Sequence, residues 1–206
     1  METLYKRLFA GIYDPFTNSL EKEIYQYRKE ILADVKGRVL EVGSGTGINF
    51  QFYNKNVQLI ALEPSPFMSR RAKLKIPEGL NVEFLTHKVN DEKLESIIKD
   101  GSLDFIVSTL VLCSIDDPVL SLRKFYKWLK DDGKLIVLEH IHSEKPLNKK
   151  IQNVVNPVWK KLADGCNLNR DTDIIIKENG FEVVKEKFFK STLRFHSGIY
   201  RKSKKY

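Results

Sequence analysis

Val39-Leu40-Glu41-Val42-Gly43-Ser44-Gly45-Thr46-Gly47 is the stretch that decides the fold. Its first half, Arg38–Val42, reads as a strand, and a short helix follows around Asn49–Tyr53. Glycines between the two let the backbone turn tightly and approach a ligand, whose anionic part can face the helix N-terminus. The spacing is G-x-G-x-G with isoleucine at position 48, not the G-x-G-x-x-G of a dinucleotide site. Glu41, two residues before the first glycine, would repel a pyrophosphate and suits a cationic ligand that carries an amine.

Twenty residues beyond Gly43 stands Glu63, at the end of a second strand, Val57–Leu62. A carboxylate there can accept both hydroxyls of a ribose. Strand context, Glu41 and Glu63 together predict a site for a nucleoside cofactor with an amino-acid end, as in S-adenosylmethionine.

Outward from this core the pattern alternates. Helix Pro66–Lys75, strand Val82–Leu85, helix Leu94–Lys99 and strand Leu103–Ser108 come in turn. Asp117-Pro118 supplies an N-cap and a proline at the first helical position, and Val119, Leu122, Phe125 and Leu129 form that helix's buried stripe. Asp132-Gly133 turns the chain into strand Lys134–His140. Strands linked by helices of this length predict right-handed crossovers and a parallel sheet covered on both faces. Beyond Ser143 the reading is two helices, Asn148–Leu162 (interrupted at Pro157) and Thr172–Asn179. Two strands follow, Phe181–Phe188 and Leu193–Tyr200, whose short link allows only antiparallel pairing. The fold class is α/β, with five parallel strands and a terminal antiparallel hairpin.

The chain has 206 residues and a net charge of +8. That length suits one domain, divided here into an N-terminal helical lid, residues 1–36, and a main domain, residues 37–206. Two cysteines exclude a disulfide framework and point to a reducing compartment. The basic excess lies wholly in residues 145–206, with fifteen basic and six acidic side chains, so the nucleotide-binding part is near neutral. Peripheral membrane contact through this basic third is one expectation, and a nucleic-acid partner is not expected. No apolar run approaches the roughly 18 residues of a membrane span, and no signal peptide is read, so the expected location is cytoplasmic, peripheral to a membrane if anywhere else. In the N-terminal segment Leu4, Leu8, Ile12 and Phe16 fall near one helical face with Tyr13 beside them, and this face is expected to pack over the pocket as a lid.

With these residues in hand, the sequence resembles the class I S-adenosylmethionine-dependent methyltransferases over residues 37–206. The resemblance implies a Rossmann-like, seven-stranded, mostly parallel sheet whose antiparallel last strand is inserted near the fifth. It implies that Gly43, Ser44, Gly45 and Gly47 line the methionine and ribose end of the cofactor. Glu63, with Pro64 beside it, would hold the ribose hydroxyls, Asn90 and Asp91 would lie near the adenine, and Thr109 and Leu110 would pass under the methionine. A closer resemblance rests on Ser108-Thr109-Leu110-Val111-Leu112-Cys113-Ser114, Glu139-His140, Asn156-Pro157-Val158-Trp159 and Asp164-Gly165-Cys166-Asn167-Leu168-Asn169-Arg170. These stand in the order found in the methyltransferase-like group that methylates small alkyl thiols at the endoplasmic reticulum. That group carries a hydrophobic anchor ahead of the domain, and no such segment is read here.

The expected activity is methyl transfer from S-adenosylmethionine to a small-molecule acceptor, with a thiol as first candidate and a quinone or lipid as second. A non-catalytic cofactor-binding protein is the alternative of another class. Candidate catalytic residues are His140, at a strand end where it can orient a proton or simply make a structural hydrogen bond, and Cys113, which either lines the site or fills the core. Tyr13, Phe16, Trp159, Cys166, Asn167 and Arg170 are the candidate lid and acceptor residues. His140 and His142 sit two apart, but a metal site needs further ligands that the sequence does not show, so none is expected.

Overall fold

The computed structural model describes residues 2–204. Seven strands form one sheet: β1 (Gly37–Val42), β2 (Val57–Leu62), β3 (Asn81–Leu85), β4 (Leu103–Thr109), β5 (Leu129–Ile141), β6 (Phe181–Lys190) and β7 (Arg194–Lys202). Their order is β3-β2-β1-β4-β5-β7-β6. Strands β1 to β5 pair in parallel, and β7 lies antiparallel between β5 and β6. Strand order reverses between β1 and β4, and that is where a doubly wound sheet opens a crevice at its carboxyl edge.

Alternate residues of the inner strands enter two cores. Leu40, Val42, Ile60, Leu62, Ile106, Leu135 and Val137 meet Leu122, Phe125 and Trp128 of α4 (Pro118–Trp128), with α3 (Leu94–Ile97) and α6 (Thr172–Glu178) on the same face. Val39, Leu59, Ala61, Phe105, Val107, Ile136 and Leu138 meet Ile24, Ile31 and Leu32 of α1 (Glu2–Leu32) and Ala72 of α2 (Pro66–Lys73). Burial of a side chain such as Phe125 stabilises the fold by about 2–3 kcal/mol. The caps read from sequence are present: Asp117 accepts from Leu120 N–H and Ser65 from Met68 N–H.

Four local expectations change. Leu129 leaves the α4 stripe and opens β5, which bulges where Leu103 pairs with Leu129 and Phe105 with Lys134. The turn around Asp132-Gly133 is absorbed into that bulge. The segment 49–53 tightens to one 3-10 turn, Phe50–Phe52. Helix α5 (Pro146–Leu162) runs through Pro157 without a break. Its inner face is held from outside the helix: Gln152 accepts from Ser143 N–H and donates to Leu168 C=O, and Asn156 accepts from Leu168 N–H.

The N-terminal face is the fourth. Leu4, Leu8 and Ile12 are each about 60% exposed, so they do not pack over the pocket. The side chain of Phe16 lies outside the described residues. Helix α1 docks instead through Ala10, Ile24, Arg28, Ile31 and Leu32, with Tyr27 stacked on Phe189 of β6.

Candidate active site

A pocket enclosing about 300 Å³, part of it open to solvent, lies at the carboxyl ends of β1 and β4. Glu41, Gly43, Ser44, Gly45, Thr46 and Ile48 line it from the glycine loop, Thr109 and Leu110 from the end of β4, and Tyr13, Glu21 and Arg28 from α1. Of the glycines, Gly45 serves the pocket directly: a Cβ there would meet nothing closer than 3.9 Å and would stand in open space. Gly43 and Gly47 have packing reasons, because a Cβ would strike Val111 at 2.5 Å and Phe50 at 2.9 Å respectively, and both have positive φ. Gly47 shapes the turn without lining the pocket.

A buried polar network organises the floor. Arg28, 1% exposed, donates through Nη1 to Asn49 Oδ1 at 2.6 Å and Thr109 Oγ1 at 2.8 Å. Its Nε and Nη2 grip Glu21 at 3.1 and 2.9 Å. Asn49 in turn donates to Glu41 Oε1 and Thr109 Oγ1, both at 3.0 Å. Burial pushes the Glu41 carboxyl up to about 7, against the opposing pull of Tyr53, Asn49 and Arg28. Ser44 Oγ is buried without a hydrogen-bond partner among the described residues, while the Glu41 carboxylate, whose Oε2 has no ideal partner, is also drawn on by the buried Tyr53 hydroxyl. Buried polar atoms left with spare acceptor capacity beside a cavity are unusual, and a carboxylate with a hydroxyl suits the ammonium end of an amino-acid-bearing cofactor.

Glu63 lies at the end of β2, where the sequence places it, but its oxygens are shared with the loops. Oε2 accepts from Gly45 N–H at 3.0 Å and Oε1 from Ser65 N–H at 2.8 Å. Each oxygen keeps a lone pair for a further donor. Burial raises its pKa, with the backbone bonds opposing and the Asp164 charge adding to the rise. Glu63 reaches the glycine loop through its bond from Gly45, but neither it nor Pro64 beside it lines the enclosed pocket. Asn90 and Asp91 also fasten their own loop: Asn90 bridges Asp117 C=O and the Ser121 hydroxyl, while Asp91 takes His87 and Lys93 N–H. Helix α1 is fastened over the loop by Asp14, which accepts from Thr46 at 2.5 Å and Lys75 at 2.8 Å.

The remaining candidates gather next to this pocket. Glu139, wholly buried, accepts from Val111, Leu112 and Cys113 N–H at 2.8, 2.9 and 3.4 Å and so shapes the loop that follows β4. Leu110, at φ 58, makes the bend into that loop. Arg170 grips the same loop from outside through the carbonyls of Leu112 and Ile115. Asn167 donates to Cys113 C=O from its backbone and side chain, at 3.0 and 2.9 Å. Asn167 and Arg170 therefore position the loop rather than reach for an acceptor.

Cys166 Sγ lies 3.1 Å from His140 Nε2. The hydrogen bond from Cys113 draws the Cys166 thiol far below its usual range against the cost of burial, with His140 and Trp159 adding to the effect. Cys113 moves up, because its bond to Cys166, its burial and the Glu139 charge all favour the thiol. Burial lowers the His140 pKa, but the bond to and charge of Cys166 outweigh it and hold it above the usual value. Tyr13 joins this cluster to the pocket: burial, Glu21, Cys113 and Glu63 hold its phenol above the ordinary range, with Arg28 opposing. His142 stays apart, 3.6 Å from Asp171.

Sequence reading missed Arg28, Asn49 and the role of Glu139. Arg28 had a signal: it stands between Ile24 and Ile31 on a buried stripe of α1, where a charge needs a partner.

Comparison with known proteins agrees with this geometry. The sequence profile of a methyltransferase domain matches residues 16–186. Human thiol S-methyltransferase TMT1A is 32% identical over 180 residues, covering 86% of this chain and 73% of its own length. Human thiol S-methyltransferase TMT1B is 29% identical over 182 residues, covering 83% and 74%. Among solved structures, the YcgJ protein of Bacillus subtilis superposes with a TM-score of 0.68 at 14% identity, over 87% of this chain and 99% of its own, a likeness of fold alone. With the doubly wound sheet and the glycine pocket, the matched profile means that the chain belongs to the methyltransferase-domain family and is an S-adenosylmethionine-dependent methyltransferase.

Proposed function

We propose that the protein methylates a small thiol, with the pocket at β1 and β4 as its cofactor site. The likeness to human thiol S-methyltransferase across 86% of the chain carries this reading. Bound S-adenosylmethionine supplies a methyl group on a sulfonium, activated for in-line displacement. Glu41 Oε2 and Ser44 Oγ receive its ammonium end, Gly45 leaves room for its backbone-facing side, and Glu63 meets its ribose hydroxyls. Arg28 keeps Glu41, Asn49 and Thr109 in place, and Tyr13 with α1 excludes water. The acceptor side is formed by the loops carrying Cys113 and Cys166 and by His140 at the end of β5, so that a thiolate is held where the methyl is offered.

Incubating the protein with S-adenosylmethionine and a panel of alkyl thiols, phenols and lipids, with products followed by mass, tests this directly. Thioether products are expected. Glu63→Ala should bind the cofactor at least about tenfold more weakly by calorimetry, as loss of a charged hydrogen-bond acceptor implies. Unchanged affinity would sink the site assignment, and methyl transfer only to phenols or lipids would sink the thiol.

Helix α5 favours an acceptor that partitions into lipid. Leu147, Ile151, Val154 and Val158 recur at three- and four-residue spacing, and each is more than half exposed. Lys149, Lys150, Lys160 and Lys161 accompany them, and residues 146–162 contain no acidic side chain. An apolar stripe with lysines on a surface helix is the pattern of interfacial membrane binding. The protein is expected to sediment with phosphatidylglycerol vesicles more than with phosphatidylcholine ones. The double change Val154→Asp, Val158→Asp should cut partitioning at least about tenfold, each buried valine being worth about 1.5 kcal/mol. Equal partitioning of the variant would exclude α5 as the contact.

A further inference from the structure

The loop that follows β4, the end of β5 and the loop after α5 bring two cysteines and a histidine together from parts of the chain far apart in sequence. Cys113 Sγ, a ring nitrogen of His140 and Cys166 Sγ all lie within 4.8 Å of one another. Cys113 and His140 are buried and Cys166 is partly exposed, so the cluster opens to solvent on one side. We propose that these three side chains bind one zinc-like divalent cation and leave one coordination position for the acceptor sulfur. The fourth ligand rests on the thiol reading above, whereas the three protein ligands do not.

The geometry is close to what such an ion needs. Tetrahedral zinc at ordinary bond lengths sets its sulfur ligands about 3.8 Å apart and a sulfur and nitrogen about 3.6 Å apart. The His140–Cys166 contact of 3.1 Å has to open by about half an ångström. Two thiolates and an imidazole form the Cys2His set of zinc sites that keep a fourth position free. No carboxylate belongs to the cluster among the described residues, which disfavours calcium and magnesium. Glu139 is close by, but it is occupied by three backbone N–H groups.

The scaffold is rigid before any ion arrives. Asn167 ties the Cys166 loop to Cys113 C=O, and Arg170 ties it to Leu112 and Ile115. Pre-organised ligands of this kind are what a metal site requires. Coordination forms two metal–sulfur bonds and one metal–nitrogen bond, and each thiol or imidazolium still protonated releases its proton to solvent. An acceptor thiol taking the open position loses its proton in the same way and stays a thiolate at neutral pH.

The test uses the full chain, kept reduced with a phosphine, stripped with a chelator, and titrated with Zn2+ and separately with Co2+. One ion per chain and a thiolate-to-cobalt charge-transfer band are expected. Cys113→Ala, His140→Ala and Cys166→Ala should each weaken binding at least about 100-fold, beyond what loss of an outer-shell partner costs. Their S-adenosylmethionine affinity, unchanged, shows that they remain folded. Zinc lost on dialysis with no cobalt band, or equal affinity in the variants, overturns the site. Added benzyl mercaptan should shift the cobalt spectrum, and an unshifted spectrum overturns the open position. Thiol methylation at full rate by the stripped protein overturns the ion's part in the reaction and leaves the proposed function standing. An intact cobalt site in a protein that methylates no thiol overturns the thiol reading and leaves the metal site.

Discussion

Arg28→Met should lower stability by about 3 kcal/mol and cofactor affinity by at least about tenfold. Arg28 is the one cation inside a buried network that includes Glu21, Asn49, Thr109 and, through Asn49, Glu41. Breaking a buried ion pair costs about 3–5 kcal/mol, and the lower end applies because Glu21 is partly exposed and can regain water. For a chain of this size that corresponds to a fall in Tm of roughly 6–12 °C, measured by calorimetry. The substitution also has a pH signature. Burial already holds Glu41 near 7, and Arg28 is one of the groups pulling it down. In the wild type, Glu41 is ionised above about 7 and protonated below it, so affinity for a cationic cofactor should fall as pH drops through that value. Without Arg28 the Glu41 pKa rises, and the whole transition moves to higher pH. A wild-type affinity flat between pH 6 and 8 would remove Glu41 from cofactor binding.

Glu139→Ala should be the most destabilising single change at the site, by about 4 kcal/mol. It deletes the acceptor of three backbone N–H groups, two of them on the buried Leu112 and Cys113, and each orphaned donor costs about 1–3 kcal/mol. Glu139→Gln keeps one acceptor oxygen but presents an N–H where another acceptor stood, so about half that loss is expected. Denaturant unfolding of both variants measures the difference. Equal losses would mean that the cavity rather than the hydrogen bonding dominates. Because the same loop carries Cys113 and Leu110, proteins that remain folded should also lose methyl transfer.

Sequence reading recovered the sheet because each strand carries its own signal. Alternation of branched apolar residues, the glycine turn and the Asp117 cap are all local, and each persisted. Where it failed, a distant partner had overruled a local preference. Pro157 ordinarily removes a helical hydrogen bond and costs about 3 kcal/mol. Helix α5 continues because Gln152 and Asn156 bind backbone from two other segments. Leu129 fits a helical stripe as well as it fits a strand, and pairing with Leu103 decided for the strand. The apolar residues Leu4, Leu8 and Ile12 share a helical face, but periodicity cannot say whether anything covers it, and they are exposed.

The candidate site divides in the same way. Residues 39–47 were legible as a strand that ends in a glycine turn, and the pocket at the ends of β1 and β4 opens beside that turn. Asn90 and Asp91, carried over from resemblance, bind neighbouring backbone and side chains that hold their own loop. The grouping of Cys113, His140 and Cys166 was not legible, since 53 residues separate the two cysteines in the chain. Sequence by itself determined the parallel sheet, its terminal hairpin and the chemistry of the glycine loop, all set by contacts between near neighbours or by repeating patterns. Only the tertiary structure decided that Arg28 completes the pocket and that two cysteines meet a histidine, because both depend on chain segments that close on one another only when the sheet has formed.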